Sequence, residues 1–156
     1  MDPTESMRPS AIPWPAVLLA AAVAVGVLLG RLYPLPWPGL DDLAARVIGY
    51  GLGAAGLALM AWGLLTLHLA GTTVLPQKRV DRLVTHGAFR FRRNPIYMGE
   101  VLVFLGLAQA TGNIWLAIMA PLFALAVFRL AIVPEERHLE ARFGEAYVAY
   151  KGRTRR

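Results

Sequence analysis

The stretch that decides the fold class is IWLAIMAPLFALAVFRLAIV, which occupies residues 114–133. Arg129 is its only charged residue. An α-helix rises about 1.5 Å per residue, so a run of about 20 apolar residues can cross the hydrocarbon core of a bilayer. The stretch therefore predicts a transmembrane helix.

The composition of the whole chain indicates the same class. Hydrophobic residues make up 56% of the 156 residues, whereas soluble domains have about 45–50%. They occur in long runs instead of alternating with polar residues, which excludes an ordinary soluble core. We predict an all-α integral membrane protein with four transmembrane helices and a C-terminal amphipathic cytoplasmic helix. The expected order is a disordered lead-in at 1–13 and a single domain at 14–156, with spans at about 14–33, 43–70, 95–111 and 114–133 and the amphipathic helix at 134–150.

The first apolar run has two interpretations. It is a transmembrane helix or the apolar part of a cleaved signal peptide. The acidic residues Asp2 and Glu5 precede Arg8, and no small-x-small cleavage site follows the run. These features favour the transmembrane helix.

Short signals between the apolar runs indicate how the helices connect and pack. Thr111-Gly112-Asn113 is a tight turn, so the spans on either side of it must form an antiparallel hairpin. The proline-rich segment 31–42 lies outside the hydrocarbon, and Asp41 and Asp42 are expected to cap the next helix. Two pairs of glycines have the small-xxx-small spacing that lets helices approach closely: Gly26 with Gly30, and Gly49 with Gly53.

The distribution of charge predicts the orientation. The formal net charge is +6, and Lys and Arg concentrate in residues 71–94 and in the tail after Pro134. Basic loops stay on the cytoplasmic side of a membrane. We therefore expect both termini, the 71–94 segment and the C-terminal helix in the cytoplasm. Basic residues placed between apolar runs favour contact with anionic lipid and argue against nucleic acid as a partner.

Several kinds of site are excluded by residue type. The chain has no cysteine, which excludes disulfides, a thiolate nucleophile and cysteine-ligated metal centres. His68, His86 and His138 are not spaced three or four residues apart, so no metal site is expected. No phosphate-binding loop or Gly-x-Ser-x-Gly motif is present.

Charged residues inside or next to the apolar runs are the first candidates for a site. Glu100 follows the start of the third span by one turn, and Arg129 precedes the end of the fourth by one turn. Two interpretations are open. Either both residues line a shared site, or they have a structural role, in which they form an ion pair or the Arg129 side chain extends to the membrane interface. Glu135 and Glu136 follow the fourth span; they complement the helix dipole, or one of them holds a cationic ligand. Only one is expected to touch a ligand, because neighbouring helix positions point in different directions.

Two further segments resemble a known family. Residues 83–99, LVTHGAFRFRRNPIYMG, resemble the LVxxGxYxxxRHPxYxG-like segment of isoprenylcysteine carboxyl methyltransferases and the related phospholipid methyltransferases. Residues 134–150, PEERHLEARFGEAYVAY, are similar to the family's EExxL…FGxxYxxY ending. Residues 71–76, GTTVLP, are similar to the bacterial members. The resemblance covers roughly residues 45–156.

The resemblance implies a bundle of transmembrane helices that binds S-adenosylmethionine in a cytoplasmic pocket. The hairpin, the loop before it and the C-terminal helix would form that pocket, and Glu135 would hold the cationic part of the cofactor. Glu100, Arg129 and Glu136 remain the candidates for a catalytic role. The cofactor-binding residues implied by motif position are Asp81, Arg82, Leu83, Val84, Phe89, Asn94, Pro95, Ile96, Tyr97 and Glu135.

The chain departs from the family pattern at three positions. Asn94 replaces a histidine, and Phe89 replaces a tyrosine. Ala131 stands where eukaryotic members use an arginine to hold the substrate carboxylate. Asparagine keeps the ability to donate and accept hydrogen bonds but does not titrate. The resemblance therefore leaves the acceptor open between a carboxylate, an amine and a thiol of a lipid-like molecule.

The function expected from the resemblance is methyl transfer from S-adenosylmethionine to a lipophilic acceptor in a bacterial inner membrane. A homodimer is a further expectation, from the glycine-rich second helix. Two alternatives remain: a nicotinamide-dependent membrane reductase of the sterol-reductase type, and a non-catalytic membrane scaffold or carrier. Cofactor binding distinguishes the three.

Overall fold

The computed structural model describes residues 14–72 and 82–155. In these residues the regular secondary structure is helical, apart from an isolated bridge between Arg92 and Arg155. The expected lead-in at 1–13 lies outside the described residues, as does the segment 73–81. The helices are α1 (Trp14–Leu32), α2 (Leu43–Leu69), α3 (Pro95–Thr111), α4 (Ile114–Val127), α5 (Val133–Phe143) and α6 (Glu145–Arg153).

Three of the helices are long and apolar enough to cross a membrane: Pro15–Leu32, Leu43–Leu69 and Ile114–Phe143. The protein is therefore an all-helical integral membrane protein, as predicted. The helix α3 is apolar but has 17 residues, slightly fewer than a typical span. The count of four spans stays a prediction.

The ends of the helices follow their capping residues. The Asp42 carboxylate begins α2 by accepting a hydrogen bond from the Ala45 amide at 2.7 Å. At the same end of the bundle, Gly112 has a positive φ of 59° and terminates α3. The Asn113 side chain then accepts from the Trp115 amide at 3.0 Å and begins α4. The predicted hairpin is confirmed, because each turn residue satisfies a backbone group that the helix ends leave unpaired.

Glycines let the helices approach each other. α2 packs against α3, α3 against α4, and α4 against α1. A methyl group on Gly53 would lie 3.1 Å from the Cα atom of Gly106 in α3. A methyl group on Gly26 in α1 would lie 2.7 Å from Leu116 Cδ2 in α4. The prediction of close packing is confirmed, and it occurs within one chain.

The core lies between α1, α3 and α4. The α4 side of it is a stripe of buried residues spaced three or four apart, which is one face of a helix: Leu116, Ala120, Phe123, Val127 and Ala131. Phe104 of α3 meets Phe123 with ring centroids 5.2 Å apart. This packing fixes α3 and α4 side by side and brings the start of α3 close to the end of α4.

The region after α4 differs from the prediction. Residues 128–132 form a π-helical turn in which the Val133 amide donates to Phe128 O, and the helix continues through Pro134 to Phe143. Proline is tolerated in the first turn of a helical segment, where its missing N–H costs little. The break falls instead at Gly144, with φ 51° and ψ −126°. The amphipathic helix expected over 134–150 is therefore two helices, α5 and α6.

Candidate active site

The segment before α3 is a 3₁₀ turn, Gly87–Arg90, and α2 holds it in place. Thr66 Oγ1 near the end of α2 accepts a hydrogen bond from the Ala88 amide at 3.5 Å. The same hydroxyl donates to Trp62 O at 2.7 Å, which fixes its orientation. The turn is thereby tied to a helix that spans the bilayer.

The C-terminal part of the chain holds the turn from the other side. The Tyr150 hydroxyl of α6 donates to Phe89 O at 2.6 Å. The Arg93 amide donates to Arg155 O at 2.9 Å, and Thr154 beside it is buried. Segments far apart in the sequence therefore fix the backbone from Phe89 to Arg93.

Two adjacent glutamates at the start of α5 have different surroundings. Glu135 is exposed, and its Oε2 accepts a hydrogen bond from the Tyr97 hydroxyl of α3 at 3.4 Å. Glu136 is buried, with its Oε1 atom 3.1 Å from Arg93 Nη1. Glu135 is thus open to a ligand, whereas Glu136 is engaged inside the protein.

Buried polar atoms without a hydrogen-bond partner concentrate beside this pair. Of the five such side-chain atoms in the described residues, four belong to Arg93, Asn94 and Glu100. They are Arg93 Nε and Nη1, Asn94 Nδ2 and Glu100 Oε2. Arg93 Nη1 lies within ion-pair distance of Glu136 but is not aligned for a hydrogen bond. Because native proteins leave few buried polar groups unpaired, this concentration indicates a site for a polar ligand.

The predicted cofactor-binding residues do not all face this site. Ile96 lies at the interface with α2, since a methyl group on Gly63 would be 2.7 Å from Ile96 Cγ1 and 3.6 Å from Pro95 Cγ. Asn94 precedes α3, and its side chain makes no capping hydrogen bond. Of the remainder, Asp81 lies outside the described residues, Arg82 is exposed, Val84 is buried, and Leu83 and Phe89 are half-buried.

The predicted catalytic residues are also separated. Glu100 is buried in α3, on the helix turn that follows Tyr97. Arg129 lies in the π-helical turn and is exposed. No ion pair joins Glu100 to Arg129 in the part of the chain that the structure describes. Of the three predicted residues, Glu100 and Glu136 are brought to the same end of the bundle, and Arg129 is exposed in the π-helical turn.

The tyrosines of α6, Tyr147 and Tyr150, are buried next to the site. Burial raises the pKa of Tyr147 to about 12, with a further contribution from the negative charge of Glu136. Burial also raises the pKa of Tyr150 to about 12. Both phenols are therefore neutral near pH 7, and Tyr150 keeps the proton that it donates to Phe89 O.

Three residues of the site were not predicted as functional: Thr66, Arg93 and Tyr150. Each acts through a hydrogen bond or an ion pair with a residue far away in the sequence. Arg93 and Tyr150 lie within the two segments that carry the resemblance, and this was the available signal. Thr66 gives no signal, because a threonine in an apolar helix ordinarily bonds to its own backbone.

Comparison with known protein families identifies the family of the chain. The model of the phospholipid methyltransferase family matches residues 44–146. The chain belongs to the phospholipid methyltransferase family. This family is part of a clan that also contains the isoprenylcysteine carboxyl methyltransferases, and its members are methyltransferases that use S-adenosylmethionine. No curated protein and no solved structure gives a significant match.

The residues at this site fit S-adenosylmethionine. The cofactor has a cationic sulfonium, an ammonium and a carboxylate, together with an adenine ring and a ribose. Glu135 offers an exposed carboxylate to a cationic group, and Asn94 offers an amide donor that no group among the described residues uses. Tyr97, whose hydroxyl contacts Glu135, supplies aromatic surface. The site therefore contains the types of group that the cofactor needs.

Proposed function

We propose that this chain transfers a methyl group from S-adenosylmethionine to an amine on a membrane lipid. The observation that carries the choice of an amine is the charge around Tyr97. Glu100 lies one helix turn along α3 from Tyr97, and Glu135 contacts the Tyr97 hydroxyl. Arg129, the residue that would suit a carboxylate acceptor, is exposed in the π-helical turn. Arg93 is already paired with Glu136.

An amine acceptor suits these charges. Lipid amines carry a positive charge at pH 7, and a buried carboxylate is stabilised by an opposite charge. A carboxylate acceptor would have to enter beside the carboxylates of Glu100 and Glu135, which repel it. Ala131, which lies in the π-helical turn after α4, is buried in the core and supplies no charge.

The residues divide into two groups in this proposal. Glu135, Tyr97 and Asn94 hold the cofactor, with Phe89, Leu83 and Val84 as its apolar wall. Glu100 faces the acceptor. S-adenosylmethionine supplies an electrophilic methyl group, so the protein needs no nucleophilic side chain. Glu100 would accept the proton of the lipid ammonium, which leaves a neutral nitrogen to form the new bond to the methyl group as the bond from that group to sulfur breaks. Its contribution is to hold donor and acceptor in line and to exclude water.

The site is proposed to open at the cytoplasmic boundary of the inner membrane. The basic residues around the start of α3 and after α5 support this orientation. An acceptor with acyl chains would then enter from the bilayer, with its headgroup at the level of Glu100. A homodimer stays a prediction, and four of the five glycines of α2 pack against α3 of the same chain.

Calorimetric titration of the detergent-purified protein tests the cofactor. We expect S-adenosylmethionine and S-adenosylhomocysteine to bind and NADPH not to bind. Glu135→Ala should weaken binding of S-adenosylmethionine at least tenfold, because the cationic part of the ligand loses its carboxylate. Glu140→Ala is the matched control, since Glu140 lies in the same helix and pairs with the exposed Lys151. Binding of NADPH alone would support a reductase, and binding of none of the three by folded protein would support a scaffold.

Transfer of a labelled methyl group tests the acceptor. Vesicles would contain a lipid with a primary amine headgroup, a lipid with a quaternary ammonium headgroup, or a fatty acid. The proposal expects label only in the primary amine lipid, because a quaternary ammonium has no free valence and the fatty acid has the wrong charge. Label in the fatty acid would show that the acceptor is a carboxylate.

A further inference from the structure

The ion pair between Arg93 and Glu136 joins the start of α3 to the start of α5. Its role beyond stability is argued on the basis of the proposed function. We infer that the pair positions the cofactor site: it sets the distance between the start of α3 and the start of α5. Glu136 is then a positioning residue and not a ligand. It acts through its neighbour Glu135, and Arg93 acts through its neighbour Asn94.

The pair joins the two segments that carry the cofactor-binding groups. Arg93 Nη1 and Glu136 Oε1 are 3.1 Å apart, and the two side chains are 10% and 9% exposed. Each partner is next in sequence to a residue proposed to hold the cofactor. Neighbouring positions on a helix point about 100° apart. Glu136 can therefore point into the protein while Glu135 points to Tyr97.

Other contacts also hold the start of α3 against the C-terminal part of the chain. The Arg93 amide donates to Arg155 O at 2.9 Å, so its backbone is fixed as well as its side chain. Tyr147 is buried next to Arg93 and Glu136, and its ring lies 6.0 Å from that of Tyr150. Gly144 permits this arrangement, because its positive φ turns α6 back toward the loop.

A ligand role for Glu136 conflicts with its surroundings. Glu136 as a whole residue is 7% exposed, and its carboxylate already faces the Arg93 guanidinium group. A cationic ligand would have to displace Arg93 and leave it buried without a partner, which is strongly unfavourable. Glu135 presents no such obstacle, because it is exposed.

Three variants test the inference: Arg93→Met, Glu136→Gln and the double variant. Affinity for S-adenosylhomocysteine is measured by calorimetry, and thermal unfolding without ligand is measured in the same detergent. We expect each single variant to bind at least tenfold more weakly, and by a similar factor. The double variant should bind at least tenfold better than the product of the two single effects predicts, because it leaves no unpaired charge. Glu136→Asp should recover part of the affinity lost in Glu136→Gln.

The matched control is the exposed pair of Lys151 and Glu140, whose atoms are 2.6 Å apart and whose side chains are 37% and 45% exposed. Lys151→Met and Glu140→Gln should change affinity less than twofold. Loss of binding in Glu136→Gln with normal binding in Arg93→Met would make Glu136 a ligand and overturn the inference. Normal affinity in both single variants with lower unfolding temperatures would show a purely structural pair, which also overturns it. Failure of the wild-type protein to bind S-adenosylhomocysteine would instead overturn the proposed function, and this inference with it.

Discussion

At the scale of the residue, chemically identical side chains have separate roles because of where they point. Glu135 and Glu136 are neighbours, yet one is exposed at the site and the other is buried against Arg93. The sequence predicts that only one of them touches a ligand, because of the angle between successive helix positions. It did not predict the partner of the other, since Arg93 lies in a different segment of the chain.

Glu100 carries a prediction at this scale. It is buried and its Oε2 atom has no hydrogen-bond partner among the described residues. We predict that Glu100→Gln lowers the rate of methyl transfer to a lipid amine at least tenfold and changes affinity for S-adenosylhomocysteine less than twofold. The neutral amide is the same size but does not attract the ammonium group or accept its proton.

The measurement is transfer of labelled methyl groups at saturating cofactor, together with calorimetry of S-adenosylhomocysteine. Glu140→Gln serves as the control on an exposed glutamate. A Glu100→Gln variant with the wild-type rate would remove Glu100 from the acceptor site.

At the scale of the element, the bundle depends on how closely α2 and α3 approach. The contact runs along the glycines of both helices, and the nearest pair is Gly53 and Gly106. In lipid, the attraction between helices comes from close packing and not from removal of apolar surface from water. The start of α3, which carries Asn94 and Tyr97, therefore takes its position from this interface.

Gly53→Leu is predicted to destabilise the protein by about 1–3 kcal/mol, because the larger side chain forces α2 and α3 apart. Gly51→Leu is the control: a methyl group there meets nothing within 4 Å among the described residues, so the side chain would point away from α3. Both variants would be compared by thermal unfolding in one detergent. Equal unfolding temperatures for the two variants would contradict the packing described here.

At the scale of the whole molecule, the helices are not arranged in the order of the chain. α1 packs against α4, so that α4 lies between α1 and α3, and α2 lies on the far side of α3. This order places the start of α3 beside the end of α4 and the C-terminal helices. The site is therefore built from three segments that only the bundle brings together.

The orientation in the membrane can be tested in the intact chain, which has no cysteine of its own. Asp41→Cys, Thr111→Cys and His86→Cys each introduce one exposed thiol. With four spans and cytoplasmic termini, an impermeant maleimide added outside should label the first two positions and not the third. Labelling of His86→Cys from outside, or protection of Thr111→Cys, would contradict this topology.

The sequence by itself determined the class of the protein. The length of an apolar run is set by the thickness of a bilayer, and the placement of basic residues is set by its charge. It also determined the ends of the hairpin, since the caps at Gly112 and Asn113 are local interactions. The two motif segments also indicated the family, because each is a continuous stretch of sequence.

Only the tertiary structure decided which groups meet. It paired Arg93 with Glu136 and Tyr97 with Glu135, and it left Arg129 exposed. It also showed that the helix continues through Pro134, where a new helix was predicted to begin, and is interrupted at Gly144. These outcomes depend on the direction of each side chain after α3, α4 and α6 have packed, and that direction is a property of long-range contacts that no local pattern records.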